Sequence, residues 1–265
     1  MSSFLIIFFL LGLIVGSFLN VVILRYNTGR SLAGRSGCFS CNHQLTWYEL
    51  VPVISFLIQR GRCRHCGSKI SRQYPLVELA TGLLFALAVW RFFADPLAIV
   101  FYCVILSILV VIVAYDFKHK IIPDGLAYLF IILAVISPAI FSWRHLLSAR
   151  LGEQIIANIG VGLVIFLFFF ALWYFSGGRA MGFGDAKLGF GLGALLGFFG
   201  ALNALILSFW IGAGFGLLLV LLSQLKKIHW WRWRFSFKSE LPFAPFLILG
   251  LLLNLFFGWS VLPLF

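Results

Sequence analysis

Eight acidic residues in a chain of 265 are few enough to weigh singly, and two of them stand where carboxylates are costly. Asp116, in Ala114-Tyr115-Asp116-Phe117, closes a long apolar run. Asp185, in Gly182-Phe183-Gly184-Asp185-Ala186-Lys187, opens another. An ionisable carboxyl at or inside a bilayer is expensive and usually marks a functional site with a partner. Two carboxyls held close together cannot both ionise, so one keeps its proton while the other activates water. The chemistry expected of this pair is acid/base hydrolysis.

A second set of reactive side chains is Cys38-x2-Cys41, then 21 residues, then Cys63-x2-Cys66. Two Cys-x2-Cys knuckles at this separation suit a tetrahedral four-cysteine zinc site, because each knuckle turns both thiolates toward one ion. The competing reading is two redox pairs or disulfides. A polar loop of this kind has little other core, so a bound metal would supply much of its folding free energy. Gly37, Gly61 and Gly67 flank the knuckles, where a chain wrapping a metal needs unusual backbone angles. His43 and His65 lie near enough to substitute as ligands, but four cysteines fill the shell and the histidines are expected in solvent. Cys103, inside an apolar run, reads as a small core residue.

The elements that must carry these groups follow from composition. With 62% hydrophobic and 11% charged residues, the apolar surface is too large to hide in a soluble domain of this length. The fold class expected is an all-α polytopic membrane protein of about eight transmembrane helices with a small zinc-binding loop domain. Apolar stretches near 4–24, 75–93, 97–115, 125–141, 155–175, 188–201, 204–224 and 243–264 are each read as a span, the usual crossing length being about 20 residues. The run 188–225 would form a straight helix of about 57 Å, so it must fold back, most simply near Gly197, Gly200 and Asn203.

Charge placement supports that division. With eight spans, the connections 25–74, 116–124, 176–187 and 225–242 share one side of the membrane and hold 17 of the 20 Lys and Arg. By the positive-inside bias that side is cytoplasmic, and both aspartates face it. Reducing conditions there favour zinc over disulfides. The net charge of +12 belongs to these connections, where it meets anionic headgroups, and nucleic acid is not an expected partner. The expected organisation is a retained first helix over 1–24, a cytoplasmic four-cysteine loop domain over 25–74, and a membrane core of about seven helices over 75–265.

The other polar residues read more simply. Asp124 follows Pro123 and suits the first turn of a helix, where an acid complements the dipole. Glu78, after Pro75, reads the same way. Glu49, beside Trp47 and Tyr48, reads equally as an exposed loop carboxylate or as a contact for a cationic leader or methyl donor. Lys187 reads as a cytoplasmic anchor whose stem lies along the membrane, in preference to a catalytic base. Trp230, Trp231 and Trp233, interleaved with Arg232 and Arg234, read as an interfacial belt.

Taken in order, these motifs resemble the bacterial type IV prepilin peptidases. The resemblance rests on Gly16-Ser17-Phe18-Leu19-Asn20-Val21-Val22, on Leu45-Thr46-Trp47-Tyr48-Glu49-Leu50-Val51-Pro52, and on Arg60-Gly61-Arg62-Cys63-Arg64-His65-Cys66-Gly67. It extends through Tyr74-Pro75-Leu76-Val77-Glu78 to the two aspartate motifs and covers nearly the whole chain. It implies an aspartic endopeptidase of the bacterial inner membrane that removes the short basic leader of prepilins or pseudopilins at the cytoplasmic face, after a glycine. It further implies Asp116 and Asp185 as the catalytic pair and Cys38, Cys41, Cys63 and Cys66 as zinc ligands. Members with the four-cysteine loop also methylate the new amino terminus with S-adenosylmethionine. No glycine fingerprint marks a pocket for that methyl donor, so no residues are assigned to it. Two other classes are weighed: a membrane thiol-disulfide oxidoreductase using the cysteine pairs, and a proton-coupled carrier, which would need acids buried mid-span.

Overall fold

The computed structural model describes residues 1–29, 31, 34–141, 150–179, 181–224 and 242–259. Among them the fold is all-helical, with isolated bridges Gly37 to Gln44 and Arg62 to Lys69 as its only extended pairing. The helices are α1 (Ser2–Arg25), α2 (Ile54–Ile58), α3 (Gln73–Phe92), α4 (Pro96–His119), α5 (Asp124–Phe141), α6 (Arg150–Ser176), α7 (Phe183–Gln224) and α8 (Ala244–Phe257). A 3-10 turn covers Trp47–Glu49. Six of these helices, α1 and α3 to α7, are long and apolar enough to cross a membrane, and α8 is a shorter apolar helix. The tryptophan and arginine belt near 230 lies outside the described residues.

The chain divides into two compact units, Met1–Tyr115 and Asp116–Phe265. In the first, α1 packs on α3 through a stripe of small residues. A Cβ at Gly12 would meet the Gly82 backbone at 2.7 Å, and one at Gly16 would meet the Glu78 Cα at 2.7 Å. Without side chains at these points the two backbones approach closely, which is how membrane helices gain contact where lipid offers no hydrophobic drive. One turn further on, buried Asn20 donates to the Tyr74 carbonyl at 3.1 Å. The start of α4 is set by Asp95, whose carboxylate accepts from the Leu97 and Ala98 backbone N–H groups ahead of the helix body.

In the second unit, α7 forms the centre. Its 42 residues are broken at Gly197, whose φ of 67° and ψ of −174° suit glycine alone. The expected fold-back is real. The Phe169 ring on α6 touches both limbs: a Cβ at Gly189 would lie 2.6 Å from it, and the Phe209 ring stacks on it at 6.3 Å. A straight helix would hold positions 189 and 209 about 30 Å apart. Counted by limb, the described residues supply eight apolar helical segments, in agreement with the sequence. The first limb, 183–196, packs through glycines on two faces: Gly189 and Gly193 meet α6, and Gly191 meets Phe130 of α5. The second limb packs on α8, where Gly250 lies against Ala204 and Ser208.

Helix ends differ from the apolar stretches. α4 continues to His119 and α7 begins at Phe183, so Asp116 lies in a last helical turn and Asp185 in a first one, inside helices rather than beside them. Apolarity marks the hydrocarbon, whereas backbone hydrogen bonds carry a helix past it.

Candidate active site and metal centre

Asp116 and Asp185 both belong to the second unit and are both buried, at 5% and 6% exposure. The turn that follows Asp116 packs on the residue that precedes Asp185, Ile122 against Gly184. Three local features bring them there. Lys120, at φ 54°, closes α4 by donating its N–H to the Asp116 carbonyl at 2.7 Å. The chain then turns through 120–123, and Ile122 packs on the start of α7, where a Cβ at Gly184 would lie 2.8 Å from the Ile122 Cβ. Any side chain at 184 would push the two carboxylate-bearing elements apart. Finally, Asp185 Oδ2 accepts the Gly182 N–H at 3.2 Å, a reach back across the first turn that satisfies an orphan donor and fixes the carboxylate.

Beside them, Lys187 Nζ lies 2.6 Å from Asp124 Oδ1. Lys187 is buried rather than stretched toward water as a surface anchor. Its ammonium lies 5.0 Å from the Tyr128 and Phe183 ring centres, so aromatic faces and one carboxylate replace its hydration. Asp124 is the first residue of α5, as expected of a helix-start acid, and its carboxylate is largely exposed.

The four cysteines meet in the first unit. All are free thiols, and their Sγ atoms lie within 4.8 Å of one another, with Cys38 and Cys66 Sγ 3.8 Å apart. Zinc–sulfur bonds of about 2.3 Å put the edges of a tetrahedral site at about 3.8 Å, so the cluster can hold such an ion. The two knuckles are built alike. Asn42 and Gly67, each at positive φ, donate N–H groups to the Cys38 and Cys63 carbonyls, both at 2.9 Å. Gly61 also has positive φ, whereas Gly37 does not; it lies in the bridge to Gln44, where a Cβ would crowd the His43 carbonyl. Hydrogen bonding, first from the Cys41 backbone, holds the Cys38 pKa down at about 6, whereas at Cys41 the His43 backbone hydrogen bond is outweighed by burial and the neighbouring sulfurs, which push it up to about 11. The cluster thus favours the thiolate, the metal-binding form, at Cys38 and opposes it at Cys41 until a cation binds. His43 and His65 stack at 4.6 Å and belong to no ligand set among the described residues. Cys103 is buried, as expected.

Glu49 and Glu78 each accept a backbone N–H. Glu49 Oε2 accepts the Thr46 N–H at 2.9 Å and the Thr46 hydroxyl at 2.8 Å, so it is buried rather than an exposed loop carboxylate. These bonds, the backbone one first, hold its carboxyl below its ordinary range. Thr46-x-x-Glu49 is a capping-box sequence, a signal that was available. Glu78 is buried in the second turn of α3, where its Oε2 accepts the Val53 N–H at 2.7 Å. No sequence pattern joins positions 53 and 78.

Six helices long and apolar enough to cross a bilayer, with two buried carboxyls at helix ends, mark a multi-pass membrane protein. Residues 10–92 match the Bacterial Peptidase A24 N-terminal domain, and residues 103–217 match the Type IV leader peptidase family. Proteins called prepilin leader peptidase/N-methyltransferase are similar throughout. That of Bacillus subtilis (strain 168) is 34% identical over 98% of this chain and 96% of its own length. Those of Burkholderia pseudomallei (strain 1026b) and Dickeya chrysanthemi are each 33% identical, over 94% and 95% of this chain and 84% and 93% of theirs. No solved structure gives a significant match. The chain belongs to the type IV leader peptidase family and is a membrane-embedded peptidase.

Proposed function

We propose that the chain is an aspartic endopeptidase that removes the basic leader of type IV prepilins or pseudopilins, with Asp116 and Asp185 as its catalytic pair. The observation that carries this reading is the burial of both carboxyls beside one close contact, Gly184 of the Asp185 turn against Ile122 of the turn that follows Asp116. One carboxylate takes a proton from water as the oxygen attacks the scissile carbonyl carbon. Its protonated partner hydrogen-bonds the carbonyl oxygen as charge develops there. On collapse the C–N bond breaks, and the amine leaves with the proton first taken from water.

The substrate is a helical amino-terminal segment with its leader, presented from the bilayer. The relatives' names and the four-cysteine loop support coupled N-methylation of the new terminus by S-adenosylmethionine. Cys38, Cys41, Cys63 and Cys66 would hold a structural zinc ion that fixes the loop. The domain assignment is 1–24 as first helix, 25–74 as the metal loop and 75–265 as the catalytic membrane core. The distribution of basic residues supports placement in the bacterial inner membrane with the loop and the aspartates cytoplasmic.

The test is to incubate purified protein with a prepilin peptide and S-adenosylmethionine and to measure product masses. Leader loss together with a methyl increment is expected. A mature, unmethylated product would remove the transferase, and an uncut peptide would remove the peptidase assignment.

A further inference from the structure

Between the two cysteine knuckles, the segment 47–58 presents a cluster of apolar side chains on the outside of the molecule. Trp47 is 79% exposed, Leu57 66%, Ile58 64% and Ile54 55%. A patch of this kind on a loop domain marks an interaction surface rather than a core. Three observations on the same unit identify what covers it.

The first is depth. The Val53 N–H, immediately before α2, donates to the buried Glu78 carboxylate in the second turn of α3. That bond is made although Val53 sits at φ 61°, a conformation a β-branched residue avoids. On the same turns of α3, Leu76 and Leu79 point outward, 64% and 37% exposed. α2 is thus held beside the opening turns of a membrane span, at a level where the span itself already shows leucine to its surroundings.

The second is charge. From 50 to 77 there is no acidic residue, while Arg60, Arg62, Arg64, Lys69 and Arg72 follow the apolar segment. Both acids at the segment are committed, Glu49 to Thr46 and Glu78 to the Val53 N–H. The third is continuity between the two kinds of surface: the Arg64 guanidinium lies 5.4 Å from the Tyr48 ring centre, which places a cation at the edge of the apolar cluster. Apolar side chains below a rim of aromatic rings and arginines match the acyl-to-headgroup boundary of an anionic bilayer.

We propose that residues 47–58 insert into the headgroup boundary of an anionic phospholipid bilayer, with Glu78 setting their depth through Val53. The loop domain then lies on the lipid surface instead of standing free in water. This holds whether or not the peptidase chemistry proposed above is correct.

The test uses the full chain in nanodiscs of phosphatidylethanolamine and phosphatidylglycerol, with a spin-labelled unnatural amino acid at position 57 or 58. Position 35, where exposed Arg35 stands, is the aqueous reference. Accessibility to oxygen relative to a water-soluble nickel chelate should be several-fold higher at 57 and 58 than at 35. It should fall in phosphatidylcholine alone. Glu78→Ala should lower the ratio at 57, and Glu78→Gln, which keeps an acceptor oxygen, should preserve it. Bound metal, measured in each variant, reports whether the loop is intact. A ratio at 57 and 58 equal to that at 35, with metal retained, overturns the proposal. So does dipolar broadening between labels on separate molecules, which would identify a second copy as the partner. Indifference to phosphatidylglycerol overturns the headgroup assignment.

Discussion

The Lys187 ammonium, 2.6 Å from the Asp124 carboxylate, joins the second turn of α7 to the first residue of α5. The chain from Asp116 through the 120–123 turn ends at this point, and Asp185 lies two residues from Lys187. The ion pair therefore closes a short circuit of structure around both candidate catalytic carboxyls. One member is buried and the other largely exposed, so direct attraction contributes about 1 kcal/mol or less. Leaving the ammonium buried without its partner costs more than the attraction itself contributes.

On the proposed assignment Asp124→Asn should lower thermal stability while cleavage remains measurable, since the side chain supports helix-end electrostatics of about 0.3–1 kcal/mol and an ion pair; loss of cleavage in folded protein would move the first catalytic acid to Asp124. Adding Lys187→Met should recover part of the lost stability by removing the stranded charge. Thermal unfolding of the two single variants and the double variant measures the coupling; strict additivity would show that the pair does not act as a unit.

Asp116→Asn and Asp185→Asn should each abolish leader cleavage in folded protein, because asparagine neither takes a proton from water nor supplies one. The double variant should be no worse than either single one, since groups acting as a unit are non-additive. Turnover of a prepilin peptide by folded Asp185→Asn would refute the pair.

Gly184→Ala should slow cleavage, because the new Cβ would lie 2.8 Å from that of Ile122 and force the 120–123 turn away from α7. Ile122→Ala in the same chain should restore part of the rate by vacating that space. Peptide cleavage rates for the three variants decide it: no rescue would mean that separation of these elements is not the cause.

Cys38→Ser and Cys63→Ser should each lose the bound metal and loosen the loop 36–68, while the membrane helices stay folded. Metal analysis and hydrogen exchange of purified protein provide the readouts. Methyl transfer should suffer more than peptide cleavage, because the cysteines and the aspartates belong to different compact units.

Labelling of cysteines placed singly at Arg35 and Lys238 should report the same membrane side, as the distribution of 17 of 20 basic residues requires. Opposite sides would contradict the cytoplasmic assignment of both segments.

The sequence made legible what depends on local spacing or on the cost of placing charge in lipid. Cys-x2-Cys geometry fixes where two sulfurs can point, so the four-cysteine cluster could be read directly. The length of the 188–225 run required a reversal, and the glycines offered the place. What was not legible depends on partners far apart in the chain. Glu78 holds Val53 across 25 residues, and Lys187 reaches Asp124 across 63, neither with any periodicity to announce it. Lys187 read as a surface anchor because a lone lysine at a span's edge ordinarily reaches water; here a carboxylate and two aromatic faces sit closer.

The break at Gly197 also sets a mechanical relation between the enzyme and its lipid. The limb that carries Asp185 is the 14 residues 183–196, about 21 Å of helix against a hydrocarbon core of about 30 Å. A limb that short cannot by itself cross such a core, and thinning of the membrane to match it costs fractions of a kcal/mol per ångström. Lengthening the acyl chains of the host lipid widens that mismatch on the limb that carries Asp185.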